Sequence, residues 1–236
     1  MSQRHKKIQA TLGVGKAVEW NDDHIEDYSD EVDWEYSPLT IPVADVWDTA
    51  QTSGGSAPVV TLQDSHTIVY LNTGGVTDQT SSMRLERATV VGDITAKEDA
   101  PILTCAVWLD AYHTIGNVAE WGLIPSATAL FTANQDGAYF RIDNNILYAV
   151  TGTGAAETAT DITPTGGIPE YGAYKIELTD SNAKFYVTDM ETAAATITTT
   201  LPDNDLTIKF SIRSKNNVDS SMYVDGVALK RNRYQG

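Results

Sequence analysis

Short stretches that favour β-strands, each closed by a turn signal, fill the sequence from about Ile41 onward and limit its fold more than any other feature. Residues 207–213 alternate polar and apolar side chains, as a strand does when one face is buried. Gly, Asn, Asp and Pro interrupt such stretches about every 8–12 residues. A helical period is almost absent, and residues 190–195 could form at most one turn. We predict an all-β antiparallel sandwich of the jelly-roll type.

Two hairpins stand out in this pattern. Residues 138–142 and 146–150 flank an Asp-Asn-Asn turn at 143–145, and these residue types tolerate positive φ. Residues 174–178 and 183–187 alternate in the same way around a second polar turn. Each pair therefore predicts two adjacent antiparallel strands.

Three further strands are predicted at 66–71, 102–109 and 222–229. The stretch 102–109 is almost continuously apolar, which predicts burial on both faces and a place for Trp108 in the core. Its Cys105 is the one cysteine of the chain, so no internal disulfide can form. We expect Cys105 to be a small buried apolar residue.

The length of 236 residues, 42% of them hydrophobic and five of them Trp, suits one domain with a sizeable core. We assign residues 41–236 to the sandwich and residues 1–40 to an extended polar arm. No apolar stretch approaches the ~20 residues that span a bilayer. Residues 1–16 are basic and lack the apolar centre of a signal peptide, so we expect a protein made in soluble form.

The net charge of -16 is unevenly distributed. Basic residues crowd the first 16 positions, and none follows Lys16 until Arg84. The interval between them holds 13 acidic residues, eight of them from Asp22 to Glu35. Phosphate binding needs clustered Lys and Arg, so the charge argues against nucleic acid and anionic membranes as partners.

The arm carries aromatic residues as well as charge, and a purely solvating tail has little use for them. Two alternatives remain open at this point: a solvated segment, or an arm that orders on a neighbouring subunit. The second predicts an assembly role for a basic tip and an aromatic middle, comprising Arg4, Lys6, Lys7, Trp20, Trp34 and Tyr36.

A diffuse series of segments resembles the concanavalin A-like jelly-roll domain of lectins and glucanases. The segments are 84–87 with 103–109, 137–142, the hairpin 174–187, 199–202 and 222–230. The spacing is similar to that of forms found in structural proteins of tailed viruses. The resemblance covers about residues 84–231, leaves residues 1–40 outside, and is specific for the fold more than for an activity.

The resemblance implies a non-enzymatic virion protein. We expect a decoration, turret or vertex protein of a tailed-virus capsid, and a tail or fibre component as the alternative. Its partners would be other virion proteins, further copies of itself and host-surface glycans, with no cofactor. The acidic excess also suggests a salt-loving host, since at 1 M salt the Debye length is ~3 Å and self-repulsion is screened.

A glycosidase is the less favoured alternative. In a strand, Glu31, Asp33 and Glu35 would share one face. Laminarinase-like enzymes of this fold carry a similar E-x-D-x-E strand, which would make Glu31 the nucleophile and Glu35 the acid/base. The family places that strand within the concave sheet, whereas here it lies in the acidic arm.

A lectin-like protein would need exposed aromatic residues. The candidates are Trp121, beside a predicted loop, with Tyr112 and Tyr148. For metal ions the sequence offers only short groups of hard oxygens, such as the Asp-Asn-Asn turn at 143–145, and no motif with metal-ligand spacing. We predict no metal site.

Overall fold

The computed structural model describes side chains for residues 69–74, 77–84, 95–109, 117–215 and 217–230. For residues 9–12, 16–19, 34–36, 47–51, 56–63, 66–68, 85 and 110 it describes the backbone in strands. Tyr112, Glu31 and Asp33 lie outside these residues, as do Arg4, Lys6, Lys7 and Trp20 of the predicted assembly arm. Trp34, Glu35 and Tyr36 are described as backbone only.

The described residues form strands and a single turn of 3₁₀ helix at Lys97–Asp99. The strands are β1 (Gln9–Leu12), β2 (Lys16–Glu19), β3 (Trp34–Tyr36), β4 (Trp47–Gln51), β5 (Ser56–Gln63), β6 (His66–Asn72), β7 (Thr80–Leu85), β8 (Ile102–Asp110), β9 (Asn117–Ile124), β10 (Gly137–Asp143), β11 (Ile146–Gly152), β12 (Glu157–Asp161), β13 (Tyr171–Leu178), β14 (Ala183–Val187), β15 (Ala195–Ile197), β16 (Thr207–Ser214) and β17 (Ser221–Lys230). No helix long and apolar enough to cross a membrane occurs among them.

Two antiparallel sheets form a sandwich, which confirms the predicted fold. The seven-stranded sheet has the order β12-β11-β10-β9-β16-β7-β4. The eight-stranded sheet has the order β15-β14-β13-β8-β17-β6-β5, and β3 pairs with β17 beyond the end of β6. β1 and β2 pair with each other. The assignment of residues 1–40 to an arm stays a prediction, although β3 shows that Trp34–Tyr36 adds backbone to the eight-stranded sheet.

Aromatic rings from both sheets meet at the centre of the sandwich. Trp121 on β9 stacks on Phe140 of β10, with ring centroids 5.5 Å apart. Tyr174 of the opposite sheet meets these two rings edge-on at 4.9 and 5.1 Å. Phe185 contacts Phe140 in the same way at 5.4 Å. Such pairs add about 0.5–1.5 kcal/mol each beyond the area they bury, so they fix how the sheets face each other.

The predicted hairpins are confirmed. β10 and β11 pair around Asn144 and Asn145, whose φ angles of 51° and 64° are the positive values expected of this turn. β13 and β14 pair in the same manner. Asp143 binds Lys215, with the Lys215 Nζ 3.0 Å from a carboxylate oxygen, so this turn uses its acidic group in an ion pair.

The prediction that 102–109 is buried on both faces is wrong. Burial alternates along β8: Cys105 and Val107 point into the core, whereas Ala106 and Trp108 are half-buried on the outer face. Sequence periodicity missed this because the outward residues are also apolar or small. Cys105 is buried as predicted, and burial raises the pKa of its thiol.

Gly122 lets β9 and β10 approach each other closely. A Cβ added there would lie 2.6 Å from the Ala138 carbonyl oxygen and from the Tyr139 Cα.

We expect Gly122→Ala to lower the free energy of unfolding by about 1–3 kcal/mol, because backbone atoms must move. Urea denaturation measures this. Gly166, where a Cβ would meet nothing within 4 Å, is the matched control: Gly166→Ala should change stability by at most about 0.5–1 kcal/mol. Equal losses in both variants would contradict the close-approach argument.

Cys105 provides a test of the core. Because its thiol is buried and its pKa is raised, a thiol reagent should react with it only through unfolding. We expect almost no labelling by an aromatic disulfide reagent at pH 8 in native protein and one equivalent per chain in denaturant. Rapid labelling of the native protein would show that β8 is not packed as described.

Candidate functional site

The outer face of the seven-stranded sheet carries a buried ionic network on β9, β10 and β12. Glu120 alternates with Trp121 along β9, so the core position of the Trp121 ring turns the Glu120 carboxylate to the outer face. Arg141 alternates with Phe140 on β10 for the same reason, and its register position lies directly opposite Glu120. Two opposite charges in otherwise apolar strands are therefore neighbours on one face.

Arg141 joins two carboxylates. Its Nε donates to Glu120 Oε1 at 2.8 Å, and its Nη1 and Nη2 donate to the two oxygens of Glu157 at 2.7 and 3.0 Å. The hydroxyl of Tyr139 completes the cluster, because it accepts from Arg141 Nη2 at 2.8 Å and donates to Glu157 Oε2 at 3.0 Å. We call Glu120, Tyr139, Arg141 and Glu157 the carboxylate network.

The exposure of the two carboxylates differs. The Glu120 side chain is 0% exposed, whereas Arg141 and Glu157 each keep 17% exposure. Burial raises the pKa of Glu120, and this effect outweighs the lowering by the Arg141 charge and by the hydrogen bond from the Phe131 amide. Glu120 is thus a carboxyl group that retains its proton to higher pH than an ordinary glutamate.

The loop formed by residues 125–136 covers this face. The Phe131 amide donates to Glu120 Oε2 at 3.0 Å. Lys209 Nζ donates to the carbonyl oxygens of Ser126 and Thr128, both at 3.0 Å, and Arg84 Nη1 donates to Ser126 at 3.0 Å. Charged side chains of β16 and β7 therefore hold the start of the loop on the sheet.

Phe131 has a φ of 59°, a conformation that a bulky side chain adopts rarely. The Arg213 guanidinium lies 5.0 Å from the centre of its ring. Backbone strain of this kind costs about 1–3 kcal/mol and is found where a surrounding structure holds it. Here the hydrogen bond to Glu120 and the contact with the Arg213 guanidinium keep Phe131 in this conformation.

A pocket of about 320 Å³ opens beside the network. Its lining combines hydroxyl-bearing, cationic and apolar residues, which are Thr80, Ser82, Ser126, Thr128, Arg84, Lys209, Met83, Leu130 and Phe131. Phe131 belongs to both features: it lines the pocket, and its amide binds Glu120. The volume lies at the lower end of the range for small-ligand sites, about 300–1,000 Å³.

The aromatic residues predicted to bind sugars do not lie together on one exposed surface. Trp121 is 0% exposed in the core, so the prediction that it stacks on a ligand is wrong. Tyr148 is half-buried on the outer face of the seven-stranded sheet, opposite Arg141 in register, and packs beside Ile124 and Tyr139. It is thus the one predicted residue that the structure brings to the carboxylate network, while Tyr112 is not described.

The strand predicted to resemble the glycosidase motif lies elsewhere. Glu35 is opposite Ala228 on β17 of the eight-stranded sheet, whereas Glu120 belongs to the other sheet. Sequence reasoning missed Glu120, Arg141 and Glu157. The available signal was a single charge inside each of two apolar strands, since such charges are rarely buried without a partner. Among the described residues, no group of three His, Cys, Asp or Glu could hold a metal ion.

The sandwich has the concanavalin A-like jelly-roll fold, and several solved structures share that fold. The catalytic domain of an endo-1,3-β-glucanase (laminarinase) from Thermotoga petrophila has a TM-score of 0.58 at 12% identity, covering 85% of this chain and 97% of that one. The β-glucanase of Bacillus licheniformis has a TM-score of 0.58 at 12% identity, and the match covers 86% of this chain and 98% of that one. A protein of unknown function from Shewanella oneidensis has a TM-score of 0.57 at 13% identity, and the match covers 85% of this chain and 86% of that one. No family model and no curated protein sequence matches the chain.

These findings correct the predicted function. Similar structures of named activity include glucanases, other glycoside hydrolases and a transglycosylase, which contradicts the predictions of a structural virion protein and of a protein without enzymatic activity. At such low identity the likeness itself establishes only the fold. The virion partners, the virion location and the assembly role of the arm residues stay untested predictions.

The ion pair of Glu120 gives a stability prediction. At a pH above the pKa of Glu120, where its carboxylate is charged, Glu120→Gln should lower the free energy of unfolding by about 2–4 kcal/mol, because it leaves Arg141 without one of its two charged partners. Lys215→Gln breaks a more exposed ion pair, in which the side chains keep 33% and 31% exposure. It should cost about 0–1 kcal/mol. Urea denaturation of both variants compares them, and equal losses would mean that the network is not held as a buried unit.

Proposed function

We propose that the chain is a carbohydrate-active enzyme that hydrolyses glycosidic bonds in a polysaccharide lying on the outer face of the seven-stranded sheet. The observation that carries this proposal is Glu120, a fully buried carboxyl group with a raised pKa beside a pocket whose lining includes four hydroxyl-bearing residues and the cations Arg84 and Lys209. A β-linked glucan is the proposed substrate class. It is supported by the activities of the laminarinase and the β-glucanase that share the fold.

Glycoside hydrolysis needs two carboxyl groups with different protonation. Glu120 is the proposed general acid, because burial keeps its proton available for the leaving oxygen of the broken bond. Glu157 is the proposed second carboxylate, since it is bound by Arg141 yet partly accessible. It would activate the attacking water or attack the anomeric carbon itself. Arg141 is a positioning residue that holds both groups.

Substrate contact with Glu120 requires movement of the loop at 125–136. Phe131 covers the carboxyl group in a strained conformation, so a bound sugar that displaces its amide would release strain while exposing Glu120. The carbonyl contacts of Lys209 hold the beginning of the loop. The proposed opening therefore concerns the part of the loop around Phe131.

The first test measures hydrolysis. Purified protein is incubated with laminarin, lichenan and barley β-glucan, and released reducing ends are quantified. We expect activity on at least one substrate and a loss of at least about 100-fold in Glu120→Gln and in Glu157→Gln, the range for removal of an acid–base group. Glu98→Gln, at an exposed glutamate in the 3₁₀ turn, is the matched control and should keep full activity. Absence of hydrolysis in the folded wild type, or full activity in Glu157→Gln, would overturn the proposal.

The second test uses pH. A general acid must be protonated, so kcat/KM should fall as pH rises through the pKa of Glu120, which lies above the ordinary value of about 4.3. The Arg141 charge lowers this pKa. Arg141→Met should therefore shift the falling limb of the pH profile to higher pH, and Arg141→Lys should shift it less. A limb that stays in place or moves to lower pH in Arg141→Met would exclude Glu120 as the acid.

A further inference from the structure

Four aromatic side chains form a continuous row on the outer face of the eight-stranded sheet. Tyr70 on β6 is opposite Tyr223 on β17, Tyr223 is opposite Trp108 on β8, and Trp108 is opposite Tyr171 on β13. Adjacent strands are about 4.8 Å apart, so the row spans about 14 Å. We call these four residues the aromatic row. It lies on the sheet that does not contain the carboxylate network.

The rings stack on one another at the Tyr70 end of the row, whereas Tyr171 at the other end is exposed. The centroids of Tyr70 and Tyr223 are 4.9 Å apart, and those of Tyr223 and Trp108 are 5.1 Å apart, with interplanar angles of 34° and 30°. Trp108 and Tyr171 have no such ring contact, and Tyr171 is 58% exposed. Within the described part of the chain, Tyr171 is the exposed large hydrophobic residue. Accessible aromatic surface is therefore concentrated at the Trp108–Tyr171 end.

Carboxylates hold the polar edges of both rings at this end. Trp108 Nε1 donates to Glu170 Oε1 at 3.1 Å, and the Tyr171 hydroxyl donates to Asp225 Oδ2 at 3.1 Å. Each of these hydrogen bonds uses one acceptor site of a carboxylate that has about four. The remaining sites lie beside the rings and can accept hydrogen bonds from hydroxyl groups.

Small residues border the rings. Ala106 is opposite Ala173 on β13 and opposite Gly226 on β17. Ala106 and Ala173 are the next residues on the same sheet face after Trp108 and Tyr171, two positions along their strands. A Cβ built on Gly226 would meet nothing within 4 Å. Among the described residues, no large side chain borders the rings at these positions, so a partner can approach the rings past these small residues. Aliphatic anchors such as Leu, Ile or Met, typical of a protein–protein core, are not among these bordering residues.

We propose that the aromatic row binds a neutral polysaccharide. Sugar rings stack on Trp108 and Tyr171, since a pyranose presents C–H groups on its faces. Its hydroxyl groups, which lie around the ring edge, donate to Glu170 and Asp225. The two carboxylates, in a chain of net charge -16, repel uronic acids and sulfated glycans, so the ligand is uncharged.

This site is distinct from the carboxylate network and deepens the proposed function, on which its polysaccharide ligand rests. A polysaccharide held on one face of the sandwich would stay near the enzyme while another part of the chain reaches the other face. The two sites together would raise the effective concentration of substrate at the network.

Affinity electrophoresis tests the site. Native gels contain barley β-glucan, dextran, hydroxyethylcellulose or its anionic counterpart carboxymethylcellulose. We expect at least one neutral polymer to retard the wild type, and hydroxyethylcellulose to retard it more than carboxymethylcellulose, because the carboxylates repel the anionic polymer; equal retardation by the two would overturn the preference for a neutral ligand. Tyr171→Ala should weaken retardation by about tenfold in apparent affinity, corresponding to the loss of one stacking contact. Tyr171→Phe, which keeps the ring and removes the hydroxyl group, should retain most of the binding.

The controls separate this inference from its rivals. Tyr171 is exposed, so Tyr171→Ala should fold, which circular dichroism verifies; Tyr186→Phe, on the same sheet away from the row, should bind as the wild type does. Equal retardation of Tyr171→Ala and the wild type, or no retardation by any neutral polymer, overturns the inference. The inference is also overturned if light scattering shows that Tyr171→Ala changes the oligomeric state while its retardation stays the same as that of the wild type. Hydrolysis without a role for Tyr171 in retardation refutes only this site, whereas retardation without hydrolysis refutes only the proposed enzyme.

Discussion

The contact between the two sheets through Trp121, Phe140 and Tyr174 is the interaction on which the remaining structure depends. Each of these rings occupies an inward position on a strand, and the strand's alternation then decides what points outward. Glu120 and Arg141 reach the same outer face because their neighbours on β9 and β10 are locked in the core. The carboxylate network is thus a geometric consequence of core packing.

The two outer faces of the sandwich have opposite chemical character. On the seven-stranded sheet, charges are buried under a loop and satisfied by one another, which holds Glu120 in a low-dielectric environment. On the eight-stranded sheet, aromatic rings remain partly accessible and carboxylates hold their edges. Acid–base chemistry suits the first environment, and stacking against sugar rings suits the second. In the proposed function, the fold therefore separates catalysis on one sheet from retention of a long substrate on the other.

Sequence patterns located strands and hairpins well and did not locate the buried charged groups. The hairpin around Asn144 and Asn145 is a local property, since the turn needs residues that accept positive φ. The acidic motif that includes Glu35 attracted attention because its alternation is visible in the sequence. The Glu120–Arg141 pair involves strands separated along the chain, and only their register brings the charges together. Trp108 was assigned to the core because its sequence neighbours are apolar, and Trp121 to the surface because it lies between Glu120 and Gly122 beside a predicted loop. Neither pattern says which side of a strand faces the core.

The sequence by itself determined the all-β class, the hairpin turns and the burial of Cys105, because period-two alternation and turn chemistry act over a few residues. It also determined the asymmetric charge. Tertiary structure decided which sheet each strand joins, and so which side chains meet. The network of Glu120, Arg141 and Glu157 depends on the register of β9, β10 and β12 across the seven-stranded sheet. The alignment of Trp108 with Tyr171 depends on pairing between β8 and β13, which are distant in sequence. Such register is fixed by packing of the whole sandwich, which no local pattern encodes.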